Sequence, residues 1–471
     1  MAEYKKKHFT AEGTVCVKGT DIPYVATSED FPIRNADGGV DASIFMFSYE
    51  RSDIEDKSGR PVLFTWNGGP GCASVYIHMG MLAPQRLKCG ETQEELPQVA
   101  PFTLINNDNC LLDICDLVSV DAIGTGYSRL LDQSKMSEYT TSEGDAAAIV
   151  IAMCGWLTAH KRWNSPVYIL GESYGTIRNA MVAEALNSNY KPVCGATSMH
   201  LAGIINLGSA LNHSQQDFPI PREVMNLPSM AAANWYWHPE GKGTLREFVA
   251  AANDFAYGDY LRAIALGRSL PEEEKLAVAE KLNSFIALPV KKLMDNDLRI
   301  NTFVYPAEVY ADEDRTISIY DARFSLGKFK DPANFNFSKD DPIMAKGNAA
   351  LIGAFRGQWK DKLNIETDEE YEGMSAPLSF AWDFKTSTFP PVAIEEAMFR
   401  NSGLKLMFGM GIYDLLTTMG WVNYLVNHYE YPMDRTWLTY YPSGHMPYLS
   451  DKCAYDLLED VRNFILAEKK D

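Results

Sequence analysis

The stretch Val167-Tyr168-Ile169-Leu170-Gly171-Glu172-Ser173-Tyr174-Gly175 runs on into Ile177-Arg178-Asn179-Ala180-Met181-Val182-Ala183-Glu184-Ala185, and it decides how the chain reads. Four residues suited to a buried strand lead into a glycine-flanked serine, and a helix-forming segment follows. Strand, G-x-S-x-G and helix in that order make a nucleophile elbow, a sharp turn that holds a serine hydroxyl out where a base can reach it. The pentapeptide alone is weak. At ordinary glycine and serine usage, a chain of this length has roughly a one in seven chance of matching it at random. Its weight comes from the flanking strand and helix, and from three further segments.

A serine hydroxyl is a poor nucleophile at neutral pH, so it needs a histidine to take its proton and a carboxylate to fix the imidazole. On an α/β-hydrolase scaffold those partners follow the serine, acid first, each on the loop after a later strand. Asp414 fits, in Gly409-Met410-Gly411-Ile412-Tyr413-Asp414-Leu415-Leu416, and so does His445, in Tyr441-Pro442-Ser443-Gly444-His445-Met446-Pro447. The competing reading of Asp414 is a helix N-cap, where Asp is favoured anyway. Among the eight histidines the rival is His428, but it lies in the helical run from Asn423 to Tyr429, whereas His445 is flanked by loop-forming Pro442 and Gly444. The third segment, Trp66-Asn67-Gly68-Gly69-Pro70-Gly71-Cys72, also follows a strand. In isolation it reads as a Gly/Pro turn. Beside a serine, an aspartate and a histidine in order, it supplies backbone donors for an oxyanion, and the amides of Gly69 and Tyr174 are the expected pair.

Short apolar runs at Ser43 to Tyr49, Pro61 to Trp66 and Leu117 to Asp121 read as strands, and a helix is expected from Gly144 to His160. Beyond the elbow come Leu201 to Gly208, Leu404 to Gly409, a helix through Trp421 to Val426, the strand Thr436 to Tyr441 and an amphipathic helix from Asp451 to Lys469. Alternating strand and helix predict an α/β fold with a mostly parallel central sheet. Residues 212–388 lack that beat and carry charged, helical segments such as Leu270-Pro271-Glu272-Glu273-Glu274-Lys275. The expected organisation is an α/β-hydrolase core in two parts, 1–211 and 389–471, interrupted by an inserted, largely helical cap.

With 471 residues, 46% of them hydrophobic, the chain has material for a large core. A net charge of -19 argues against a phosphate-binding surface, so nucleic acid is not an expected partner. Lys5-Lys6-Lys7 is followed by no apolar run, and no run reaches eighteen residues, so neither a secretory leader nor a membrane span is expected. The eight cysteines fall at irregular spacings without a CxxC pair, which predicts reduced thiols, no metal site and a cytoplasmic location.

WNGGPGCAS from Trp66, VDAIGTGYSR from Val120, GESYG around Ser173, GMGIYDLL around Asp414 and YPSGHMPY around His445 together resemble the serine carboxypeptidases. These are α/β-hydrolases with an inserted cap, and the resemblance is weakest over 212–388. It implies release of the C-terminal residue of a peptide through an acyl-enzyme on Ser173, with His445 as general acid/base and Asp414 orienting it. No cofactor is implied. The substrate's terminal carboxylate would be held by Asn67 and Glu172. An Asn amide can donate to a carboxylate, but a Glu can do so only when protonated.

The best-known members carry a second glutamate shortly after the NGGPG motif, and the matching residue here is Met81. A pH optimum moved toward neutrality and an altered carboxylate recognition follow as expectations, with Arg86 or Arg178 as candidate helpers of that recognition; either reads more readily as a surface ion-pair partner. In secreted members the counterpart of Cys72 pairs with a cap cysteine, but this chain has none between Cys194 and Cys453. Three other readings stay open: an esterase or acyltransferase on the same scaffold, an aminopeptidase of related fold, and a non-catalytic binding protein. Fold and triad do not separate the first from a peptidase.

Overall fold

The apolar runs of the sequence become neighbours in one sheet of a computed structural model that describes residues 4–187, 199–212 and 220–467. Its main strands are β1 (His8–Val17), β2 (Thr20–Arg34), β3 (Val40–Arg51), β4 (Val62–Trp66), β5 (Asp116–Val120), β6 (Val167–Glu172), β7 (Leu201–Leu207), β8 (Lys405–Gly411) and β9 (Thr436–Tyr441). They lie in the order β1-β2-β3-β5-β4-β6-β7-β8-β9, with the short strand Arg129–Leu130 paired to β3. Pairs from β1 to β5 are antiparallel, and every pair from β5 to β9 is parallel. The fold is that of an α/β hydrolase with a mostly parallel central sheet.

Strands β4, β5 and β6 are buried along their whole length, as expected of parallel strands covered on both faces. Successive side chains alternate between two cores. Phe64, Val118 and Ile169 pack with helices α1 (Ser142–Ala159), α2 (Tyr174–Asn187), α6 (Pro390–Arg400) and α7 (Met419–His428) through Trp156, Ile177, Ile394 and Val422. Leu63, Leu117 and Leu170 face the opposite side, against Leu457, Val461 and Phe464 of α8 (Asp451–Leu466). Each such side chain removed from water contributes about 1.5–3 kcal/mol. The polar ends of these helices are capped locally: Thr141 Oγ1 accepts from Gly144 N at 3.0 Å to start α1, and Ser450 Oγ accepts from Cys453 N at 3.1 Å to start α8.

The stretch 212–388 is not uniform in its packing. Helices α3 (Arg222–Trp237), α4 (Leu245–Phe255) and α5 (Glu272–Ile286), with the chain as far as Ala322, close around a third core that also takes in Tyr413 and Leu415. From Phe324 onward, Ile343, Leu351, Phe355, Trp359 and Tyr371 belong to the core under the sheet. Strands β1 and β2 precede the first strand expected from sequence. Cys194 and the end of the last expected helix, Glu468 and Lys469, lie outside the described residues. Among the described residues no helix is long and apolar enough to cross a membrane.

Candidate active site

Because β4, β5, β6, β8 and β9 run the same way, the loops that follow them gather at one edge of the sheet, the usual place for a site in such folds. Ser173 sits on the turn between β6 and α2 with φ at +59°, a left-handed conformation that costs a non-glycine residue energy and lifts it out of the strand direction. Its amide donates to Leu207 O at 2.9 Å, while Thr176 N and Oγ1 close the turn on Ser173 O at 2.9 and 2.7 Å. A Cβ on Gly171 would collide with the Gly175 carbonyl, so the backbone approach that makes the elbow needs glycine there. Trp66 Nε1 donates to that carbonyl at 3.0 Å and ties the elbow to the end of β4.

Asp414 and His445 meet across the loops after β8 and β9. His445 Nδ1 lies 2.7 Å from Asp414 Oδ2, and both side chains are buried. Asp414 Oδ1 accepts from Leu416 N and Thr417 N at 2.8 and 2.9 Å, so this oxygen holds the local turn while the other addresses the imidazole. Helix α7 starts later, with Thr418 in the capping position, so Asp414 is not its N-cap. Thr417 Oγ1 donates to Asp414 Oδ2 at 2.6 Å and stands 3.0 Å from His445 Nδ1. Burial alone would lower the His445 pKa, but the adjacent Asp414 carboxylate raises it above the ordinary imidazole value. His428 is on the exposed side of α7, bonded to Tyr424 O, away from this pair.

The histidine loop is gripped by the end of the helical insertion. His445 N donates to Tyr320 O at 2.6 Å, Gly444 N to Asp321 Oδ2 at 2.9 Å, and the Tyr320 ring meets the imidazole edge-on at 5.5 Å. The imidazole also packs on Gly208, where a Cβ would sit 2.9 Å from Nδ1. Leu207 holds the Ser173 amide and Gly208 supports His445, so two adjacent residues join serine and imidazole. Ser173 Oγ and His445 Nε2 are not hydrogen bonded to each other.

The NGGPG turn lies directly over the elbow. A Cβ on Gly68 would stand 2.5 Å from Tyr174 N and 2.6 Å from Glu172 O. Gly69 has φ of +104°, and its peptide bond to Pro70 is cis. Tyr174 opens α2, so its N–H has no carbonyl within the helix to bond and is left for an acceptor above the elbow. The amides of Gly69 and Tyr174 therefore belong to one small region.

Asn67 and Glu172 are brought together. Asn67 Nδ2 donates to Glu172 Oε1 at 3.2 Å, and Ile77 N donates to Asn67 Oδ1 at 2.9 Å, which fixes the amide orientation. Glu172 is 4% exposed. Burial pushes its carboxyl up to about 7, and Oε2 has no hydrogen-bond partner. Met81 is wholly buried in the apolar core. Both arginines hold ion pairs of their own, although Arg178 Nη2 is buried without a hydrogen-bond partner. Arg86 pairs with Asp451, while Arg178 pairs with Asp145 at 2.7 Å and donates to Asn67 O at 2.8 Å, bracing the turn from beneath.

Residues 35–239 match the family model described as serine carboxypeptidase. The match takes in the NGGPG turn and Ser173, while Asp414 and His445 lie beyond it. Among curated proteins, the chain is 29% identical over 188 residues to serine carboxypeptidase-like 5 of Arabidopsis thaliana, covering 38% of this chain and 40% of that protein. It is 28% identical over 167 residues to the pheromone-processing carboxypeptidase kex1 of Aspergillus niger, covering 35% and 25%. Among solved structures, the prohormone-processing carboxypeptidase Kex1 of Saccharomyces cerevisiae superposes with a TM-score of 0.54 over 93% of this chain and 90% of that one, at 14% identity. Over residues 35–239, less than half of its length, the chain is similar to the serine carboxypeptidase family. Sequence similarity to the plant relative extends over less than half of its length, and the likeness to the yeast structure is one of fold.

Three contributors to this site went unread in the sequence. Thr417 and Asp321 are ordinary loop residues with no motif around them. Tyr448 stands three places after His445 and its hydroxyl accepts from Asn67 Nδ2 at 3.3 Å. Its signal was present as a large phenol in a turn otherwise made of Pro, Gly and apolar residues.

Proposed function

We propose that this protein is a serine-type carboxypeptidase that removes the C-terminal residue of peptides. The observation that carries the reading is the buried Asn67–Glu172 pair immediately before Ser173, a polar recess of the kind that receives a substrate's terminal carboxylate. Ser173 Oγ attacks the last peptide carbonyl while His445 Nε2 takes its proton, Asp414 stabilises the imidazolium, and the amides of Gly69 and Tyr174 donate to the oxyanion. The proton passes to the departing amine, the C-terminal amino acid leaves, and water repeats the cycle on the acyl-enzyme. Serine and imidazole draw into hydrogen-bond contact when substrate is bound.

Cys16, Cys72, Cys89, Cys110, Cys115 and Cys453 form no disulfide among the described residues, and all but Cys16 are buried; this supports a reducing, cytoplasmic location as part of the proposal. Fractionation of cells expressing a tagged chain checks it.

Incubation with a peptide library, read by mass, tests the activity. Single-residue losses from the C-terminus are expected, blocked by fluorophosphonate labelling of Ser173. Losses from the N-terminus, or cleavage of esters alone, would overturn the reading.

A further inference from the structure

We propose that Tyr448 is a positioning residue for Glu172: its hydroxyl, bonded to Asn67 beside Glu172, holds this pair in place and keeps one Glu172 oxygen aimed at the substrate carboxylate. The inference rests on the carboxypeptidase reading and names how that reading's carboxylate recess is held together.

The geometry is a cluster of three buried side chains joined through Asn67. Asn67 Nδ2 donates to Glu172 Oε1 at 3.2 Å and to the Tyr448 hydroxyl at 3.3 Å, which sets that hydroxyl beside the Glu172 carboxyl. Asn67 has no freedom to turn away, because Ile77 N occupies its oxygen. Tyr448 is fully buried in the short helical turn Pro447–Leu449, and its ring packs so closely on Gly80 that a Cβ there would collide with it. Both neighbours of Glu172 thus come from elements locked in the core, one from the NGGPG turn and one from the histidine loop.

What remains unengaged is Glu172 Oε2, buried and without a partner. A protonated carboxyl in this setting accepts on Oε1 and donates from Oε2, which gives the substrate carboxylate a neutral donor next to Ser173. Met81 offers no oxygen to share that proton, whereas the neighbouring Tyr448 hydroxyl favours the ionised form of the carboxyl. The other titratable groups facing Glu172 are His445, whose charge favours ionisation, Asp414, which opposes it, and the buried Cys72 and Tyr76. Removing the hydroxyl therefore has two effects of known sign. Asn67, the partner of Glu172, loses its second acceptor, and the Glu172 carboxyl stays protonated to higher pH.

Tyr448→Phe in the full chain tests this, with an N-blocked dipeptide bearing a free C-terminus assayed between pH 5 and 9 and fluorophosphonate labelling as a probe of the triad that needs no carboxylate recess. The expected result is a KM raised about tenfold at pH 6, an alkaline fall in kcat/KM displaced to higher pH, and a labelling rate within about twofold of wild type. In a cycle with Glu172→Gln, the second substitution should add little to the first. An unchanged KM and pH limb, or additive losses, would overturn the role of Tyr448 while leaving the peptidase reading intact. A parallel drop in labelling would also overturn it, by showing a merely structural part. If wild type shows no preference for the free carboxylate over its amide, the carboxypeptidase reading falls and this inference with it. Tyr448→Met, apolar and without a hydroxyl, serves should the phenylalanine chain not fold.

Discussion

Two buried polar clusters occupy opposite ends of β4, β5 and β6: in one Glu29 and Glu50 are held down, and in the other Asp121 and Glu172 are pushed up. Before the strands, Arg60 and Arg162 bracket Asp116, Arg162 reaches Glu50 at 3.4 Å, and His160 lies 2.6 Å from Glu50 and 2.8 Å from Glu29. Burial would raise Glu29, but the bonds from His160 and Lys6 hold it down at about 2. Burial would lower His160, but its two carboxylates raise it to about 9. After the same strands, burial raises Asp121 and Glu172 each to about 7, and each keeps an oxygen without a partner. One end is saturated with partners and fixes the fold. The other is left short of them, and that shortage is what a ligand can use.

The sharpest break in the comparison is Ser173→Ala. It should lower kcat by about 10⁴-fold or more and leave the urea unfolding midpoint in place. Substantial residual peptidase activity would move the chemistry away from this edge of the sheet.

His160→Ala attacks the other end. It leaves Glu29 and Glu50 as buried carboxylates without their shared cation, at a cost of about 3–5 kcal/mol, while kcat/KM of the folded fraction changes less than about twofold. The pH dependence has a definite sign. His160 is raised from 6.5 to about 9, so its contribution is complete below pH 6.5 and is lost as pH rises through about 9. Glu29 is lowered from 4.5 to about 2, so its contribution is present above pH 4.5 and is lost as pH falls through about 2. Urea titrations at several pH values should find the alkaline loss in wild type and its absence in His160→Ala.

Glu172→Gln is expected to be milder. A neutral amide cannot titrate, so the fall in kcat/KM above about pH 7 should disappear, with a loss of roughly tenfold below it. Thr417→Val should be smallest, about 1 kcal/mol or a fivefold fall in kcat, because Asp414 keeps its two backbone donors and its bond to His445.

The site was more legible in the sequence than the frame around it. Ser173, Asp414 and His445 each follow a strand that was expected from the sequence, so chain order and turn residues were enough to pick them. Thr436 to Tyr441 even appears with the expected bounds. The edge strands were harder. β2 buries Glu29 and Asp30 in mid-strand, where partners from Lys7, Tyr4 and His160 compensate, and that erases the apolar alternation a reader looks for. The same blindness hid Tyr448, whose meaning depends on Asn67, 381 residues away in the chain. The split of 212–388 between two cores was invisible for a related reason, since Phe324 and Ala322 differ only in the partner they find.

The most direct test of the account compares an N-blocked dipeptide with a free C-terminus against its C-terminal amide, both followed as kcat/KM from pH 5 to 9. The free carboxylate should be preferred by about 100-fold at pH 6, and the preference should shrink as pH rises through about 7, where Glu172 loses its proton. Equal rates on the two substrates at every pH would contradict the assignment of Asn67 and Glu172 as a carboxylate recess, and with it the carboxypeptidase reading.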